Sequence, residues 1–252
     1  MTLEEAIRAA ESGNIGAMNS LGDHYIEQNS FFEANEWFLK AANLGSPYGM
    51  HQSMMCDIML AMASEDLGLW QDALDSWNAA RTKALVLVRN EGVPEDFKAS
   101  ARTHFLDTIV IGLGLANTMT ENYDAAIEWL KESSDSRATV LLGLCYYKRG
   151  GSKADLSQSY VEAFPLLSIL NSEPNMKLPA RVKWLCWNAL AFIYRIGDDL
   201  SDLSVKTDFA ASYHCLEMAL SLPGLSEKQV AFTRTELQKY TKGLFGSYTY
   251  NG

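Results

Sequence analysis

The side chains able to do chemistry are few, and their spacing limits what that chemistry could be. The histidines His24, His51, His104 and His214 lie far apart. None forms a His-Glu-x-x-His pair or stands beside a cysteine at metal-ligand spacing. His24 has Asp23 and Glu27 within one helical turn, a grouping that invites a general base steered by carboxylates. On a helix surface the same residues form an ordinary solvated cluster, which is the simpler reading. Asp198, Asp199 and Asp202 crowd one stretch and suggest a calcium ion, but the glycine and terminal glutamate of a dedicated loop are missing. That stretch reads as an exposed insertion with helix-capping aspartates. Gly112-Leu-Gly114 follows no strand and lacks a correctly placed third glycine, and neither a phosphate loop nor a Gly-x-Ser-x-Gly elbow occurs. Cys56, Cys145, Cys186 and Cys215 each sit in an apolar helical run without a Cys-x-x-Cys pair, so they are expected to be reduced core residues. A Cys186–Cys215 disulfide is the alternative, since those helices should be neighbours. The expectation is a protein without catalytic residues, metal or cofactor.

The elements behind these residues follow a repeat. Gly22 leads to Ala34, Phe38 and Ala41 at steps of 12, 4 and 3, and Ala61 to Ala73, Trp77 and Ala80 at the same steps. Gly114 leads likewise to Ala126, Leu130 and Ser133. Gly143 leads to Ala163, Leu167 and Leu170, and Ala191 to Ala211, Cys215 and Met218, with the first step stretched to 20. Steps of 3 and 4 put residues on one helical face. A small residue opposite a large one suits closely packed helices: Gly22 and Ala34 let backbones approach, and Phe38 fills the space beside them. Repetition at this scale means stacked helix pairs, none able to bury its own apolar face. The longer breaks, Gly150 to Ser157 and Gly197 to Lys206, absorb the extra length. All six prolines are expected at breaks or first turns, and no alternating run is long enough to demand a sheet.

The stretch Asn122-Tyr-Asp-Ala-Ala-Ile-Glu-Trp-Leu-Lys131 resembles the second helix of a tetratricopeptide repeat. Ala17-Met-Asn-Ser-Leu-Gly-Asp-His-Tyr25, followed by Glu33-Ala-Asn-Glu-Trp-Phe-Leu-Lys-Ala-Ala42 and Gly45, resembles the Sel1-like variant. Asn117 and Ser64 depart from the family pattern by standing where it usually has an aromatic. The resemblance implies an all-α solenoid of five antiparallel helix pairs over residues 14–222. A capping helix over residues 1–13, with Leu3, Ile7 and Ala10 as its stripe, would precede it, and residues 223–252 would follow, the whole being one domain. Ser226 to Lys242 reads as a last amphipathic helix carrying Val230, Phe232 and Leu237. The tail beyond, with Phe245, Tyr248 and Tyr250, has no helical pattern, and the sequence does not decide whether it docks, contacts a partner or frays.

With 252 residues, 48% of them hydrophobic, the chain can bury a large core unaided. The longest apolar run, Ile109 to Ala116, is too short to span a bilayer. The opening Met1-Thr-Leu-Glu-Glu-Ala places acid where a secretory signal carries lysine or arginine. A cytoplasmic protein is therefore expected. Net charge is −10, and residues 1–66 carry Arg8 and Lys40 against ten acidic side chains, hence −8 of it. Such a field repels nucleic acid and anionic membranes and would steer a basic partner inward; the plainer reading is a solvated acidic face.

In repeats of this kind the first helix of each pair lines the concave side, the usual ligand surface. The register places Asn19, Asp23 and Glu27 there, then Met55, Met62 and Glu65, then Arg137 and Tyr147, and finally Asn188, Phe192 and Arg195. Ile58, Ile111, Leu115, Val140 and Leu144 share the register, and for Ile58, Ile111, Val140 and Leu144 inter-helix core is the simpler reading. The function expected is a non-catalytic module that holds a protein or peptide, with arginines and aromatics of the types that dominate binding hot spots. Family members that bind acidic chaperone tails use lysines on this face, and unit one has none. The alternative is an immunity protein whose acidic N-terminal region covers the basic surface of a bacterial toxin.

Overall fold

Several helices start on a side-chain cap. Thr2 and Glu5 form a capping box on α1 (Leu3–Glu11), and Asn14 accepts from the Ala17 amide to open α2 (Ile15–Glu27). α3 (Phe31–Asn43) follows. Ser46 caps α4 (Pro47–Leu67), whose first residue is proline and which closes on Gly68 in the left-handed conformation. α5 (Trp70–Arg89), α6 (Glu95–Ser100), a π-helical turn (Ala101–Phe105) and α7 (Leu106–Met119) complete one compact unit, Met1–Thr120. The second unit, Glu121–Gly252, holds α8 (Tyr123–Leu130), α9 (Ser136–Arg149), α10 (Lys153–Leu167), α11 (Ile169–Ser172), α12 (Ala180–Arg195), α13 (Phe209–Leu220) and α14 (Glu227–Gln238). It ends in a hairpin of β1 (Tyr240–Lys242) and β2 (Tyr248–Tyr250). This computed structural model describes residues 2–150, 153–197, 206–243 and 247–252, with the backbone alone at 103, 104 and 153–158. The described residues are all-α apart from that hairpin, and none of their helices is long and apolar enough to cross a membrane.

Within the first unit each of α1 to α5 packs on its chain neighbour, and α5 also packs on α7. The small-against-large pattern is realised physically. A methyl group on Gly22 would lie 2.5 Å from the Phe38 ring, and one on Gly49 would lie 2.8 Å from the Phe38 carbonyl oxygen. Ala34, Phe38, Ala41, Ala61, Ala73, Trp77 and Ala80 are all buried. Ile58, Ile111 and Leu115 are buried as well, so of their two readings the core one holds. The residues between Arg89 and Leu106, which no repeat claimed, fold as α6 and the π turn. Phe97 and Phe105 there pack their rings on His51 of α4, at centroid distances of 5.3 and 5.8 Å.

In the second unit α8 packs on α9, α9 on α10, α12 on α13 and α13 on α14. Ala126, Leu130, Val140, Leu144, Ala163, Leu167, Leu170 and Ala191 are buried, and a methyl on Gly143 would meet Leu166 Cβ at 2.9 Å. The last repeat departs from its expected register. Ala211 is only half-buried, while Ser212, Cys215, Leu216 and Ala219 face the core. The Ser212 hydroxyl donates 2.6 Å to the Ala191 carbonyl oxygen, so the hydroxyl fixes a residue one position later against α12.

Three further expectations are corrected. Pro165 lies inside α10, not at a break, two residues before the helix ends; there it removes one i→i−4 backbone bond from the last turn. The break expected from Gly150 to Ser157 is shorter, because α10 already begins at Lys153. The last helix stops at Gln238, not Lys242: Tyr240 to Lys242 pairs antiparallel with Tyr248 to Tyr250. The tail docks. Tyr248 stacks on Tyr213 at 4.5 Å, Tyr250 stacks on Phe209 at 6.3 Å, and the Tyr240 hydroxyl bonds with Ser212 at 2.6 Å. Aromatic stacking on α13 thus stabilises a strand pair too short to stand alone.

Candidate functional site

Four of the expected binding residues converge in the second unit. Tyr147 on α9 and Asn188, Phe192 and Arg195 on α12 line a pocket of about 250 Å³, together with Trp184 and with Phe232 and Glu236 of α14. The spacing of 188, 192 and 195 puts those side chains on one face of α12. Arg195 is held on three sides. Its guanidinium donates 2.9 Å to the Glu236 carboxylate and 3.1 Å to the Tyr250 hydroxyl. It also lies 4.6 Å from the centre of the Tyr250 ring and 5.2 Å from that of Phe192. The hydrogen bonds from Lys239 and Arg195 hold the Glu236 carboxyl below its ordinary pKa, against the opposing effect of its own burial. Tyr147 stacks on Tyr160 at 5.3 Å, and burial pushes its phenol up to about 12, so it is neutral and apolar in character. Trp184 donates its indole N–H 2.9 Å to Thr233 and meets Phe232 edge-on at 5.8 Å. Asn188 spends its amide on the Trp184 carbonyl oxygen, 2.7 Å away. The result is an aromatic-walled recess around an internally neutralised Arg–Glu pair.

Arg137 does not line this pocket. It sits at the start of α9, bridging Asp135 with bonds of 3.0 and 2.8 Å, which lowers the Asp135 pKa. Phe232 was expected to pack inward on the capping helix, yet it is 50% exposed at the pocket rim. Thr233 takes the inner position because it meets the Trp184 indole. Trp184 and Glu236 carried no repeat signal; Trp184 stands one turn before Asn188 on α12, and only its contacts with Phe232 and Thr233 of α14 make it a wall.

The remaining candidates lie in the first unit. Asn19 donates 3.1 Å to the Ser46 hydroxyl, and Asp23 accepts 2.6 Å from the Tyr48 hydroxyl, so both tie α2 to the start of α4. Glu27 is exposed. His24 bonds Gln28 at 2.8 Å. Met55 is half-buried and Met62 is 47% exposed. Glu65 accepts 2.7 Å from the Trp77 indole, and burial pushes its carboxyl up to about 7.

A polar cluster that the sequence did not reveal lies beneath a second cavity of about 150 Å³, lined by Leu39, Met50, Lys83 and Val86 among others. The Lys83 ammonium turns inward to Asp57 at 2.7 Å, and Asn35 donates 2.7 Å to the other Asp57 oxygen. Ser53 in turn donates 2.6 Å to Asn35. The lysine stem lines the cavity while its charge is spent below it, so this is a cross-brace of α3, α4 and α5.

Among the described residues no group of three or more His, Cys, Asp or Glu comes together to hold a metal ion. The Asp198, Asp199 and Asp202 stretch lies outside the described residues. All four cysteines are buried and free, so the Cys186–Cys215 alternative is not realised. No protein-family model matches the chain, and no curated protein matches it significantly.

Proposed function

We propose that the chain is a non-catalytic binding module, built of Sel1- or tetratricopeptide-like helix pairs within each unit, that holds a protein or peptide. The pocket of the second unit carries this reading: Tyr147, Trp184, Phe192 and Phe232 surround the Arg195–Glu236 pair in one recess. Aromatics and arginine are the residues most enriched in binding hot spots, and a rigid concave recess is where they act most strongly. The recess is wide enough for a bulky apolar side chain of the partner. The exposed Lys148 and the Arg195–Glu236 pair supply polar contacts at its edge. Helices α9, α12 and α14 present it, and on this reading they are the first helices of successive pairs.

Phe232→Ala and Lys148→Glu test it, since both side chains are exposed. Partners co-purifying with the tagged wild-type protein should be lost from the double variant at unchanged melting temperature. Full retention would place binding elsewhere.

A further inference from the structure

Tyr48, Met55, Met59 and Met62 stand 7, 4 and 3 residues apart on α4, and so share one face of that helix. Met59 is 37% and Met62 47% exposed, whereas Met54, one position from the row, is fully buried. The row spans roughly 21 Å at the helical rise. Carboxylates border it. Asp23 bonds Tyr48 at one end, Glu27 stands one turn further along α2, and Asp66 is exposed beyond Met62. Glu65, flanking Met62, accepts 2.7 Å from the Trp77 indole. The two basic residues of the first 66 are engaged on other helices: Arg8 lies beside Glu4 on α1 at 3.8 Å, and Lys40 lies over Trp37 of α3 at 4.0 Å.

We infer that this face of α4 is a docking surface for a cationic amphipathic helix of a partner protein. Exposed methionines are flexible and polarizable, and mould to an apolar helix stripe of variable shape. The bordering carboxylates match lysines and arginines on the flanks of such a helix and fix its register. The row accepts about 14 residues of partner helix, four turns. The inference rests on reading the chain as a binding module, but it uses another face, in the other unit, than the aromatic pocket.

The test uses the full chain with methionine methyl groups isotope-labelled, titrated with an 18-residue lysine–leucine amphipathic peptide. A scrambled peptide of the same composition is the control. The expected result is methyl shifts at Met55, Met59 and Met62 but not at Met54 or Met18, with the scrambled peptide at least about tenfold weaker. Exchanging all three methionines for glutamine should weaken binding about tenfold or more without changing net charge. Asp23→Asn with Glu27→Gln and Asp66→Asn should flatten the salt dependence. Equal binding of the scrambled peptide would mean a mere acidic field, and overturns the inference. So do silent Met55, Met59 and Met62 methyls. If peptide binding is instead lost only in Phe232→Ala, this face is wrong while the module reading stands; if neither face binds any partner, both fail.

Discussion

Gly112 of α7 and Trp77 of α5 pack so closely that one added methyl group on Gly112 would overlap the indole. The same indole donates 2.7 Å to Glu65 of α4, so Trp77 ties together three helices of the first unit. Gly112→Ala must push the ring aside, and overpacking of this kind costs about 1–3 kcal/mol or more. Urea denaturation should show the loss; a wild-type midpoint would mean that the ring has room to move.

Gly22 of α2 and the Phe38 ring of α3 make a similarly close contact. Gly22→Ala should destabilise by about 1–3 kcal/mol, and Phe38→Leu should recover part of that in the double variant, because the two changes share one space. Strict additivity in the double-mutant cycle would contradict the contact.

Glu65 sets a pH dependence. Its folded-state pKa, near 7, lies above the ordinary 4.5, so the folded chain keeps a proton that the unfolded chain releases. Below about pH 4.5 the two states do not differ; stability falls as pH rises from there to about 7 and is flat beyond. Glu65→Gln keeps an acceptor for Trp77 and carries no charge. It should therefore stabilise at pH 8, on the order of 1–2 kcal/mol with solvent screening allowed for, and be neutral at pH 4. Equal effects at both values would show that Glu65 is not responsible.

Lys83 neutralises buried Asp57 at 2.7 Å, and burial already raises the Asp57 pKa. Lys83→Met strands that carboxylate and should cost about 3–5 kcal/mol at pH 7. The loss should shrink as pH falls, because a protonated Asp57 has no charge to strand. Melting curves across pH decide it; a pH-independent loss would assign the effect to packing.

Ser212 bonds both the Ala191 carbonyl and the Tyr240 hydroxyl at 2.6 Å. Ser212→Ala leaves both buried partners short of a bond and should cost about 1–3 kcal/mol, with earlier proteolysis of the hairpin. Unchanged proteolysis would mean that the stacked tyrosines alone hold it.

The helical fold was legible because its signal is local. Phe38, Trp77 and Leu130 recur at fixed distances from small residues, and each is buried as that pattern requires. Where a tertiary contact competes with local pattern, the sequence misleads. Ser212 displaces Ala211 through a hydrogen bond to another helix, and Tyr240 to Lys242 leaves the helical path for a strand that stacking stabilises. The short α6 had a local signal, Pro94 followed by Glu95 and Asp96, but its packing on His51 joins residues far apart in the chain. The pocket was half legible. Helical spacing groups Asn188, Phe192 and Arg195, whereas Trp184, Phe232 and Glu236 join them only through the placement of α14 on α12. The Lys83–Asp57 brace had no readable trace, since its members stand 26 positions apart on separate helices.

The most direct test of the binding-module account is photocrosslinking in the native host, with a photoreactive phenylalanine at position 232 and, as control, at exposed Glu217 of α13. The account predicts a discrete protein adduct at 232 that is absent at 217. No adduct at 232, or the same adducts at both positions, would contradict it.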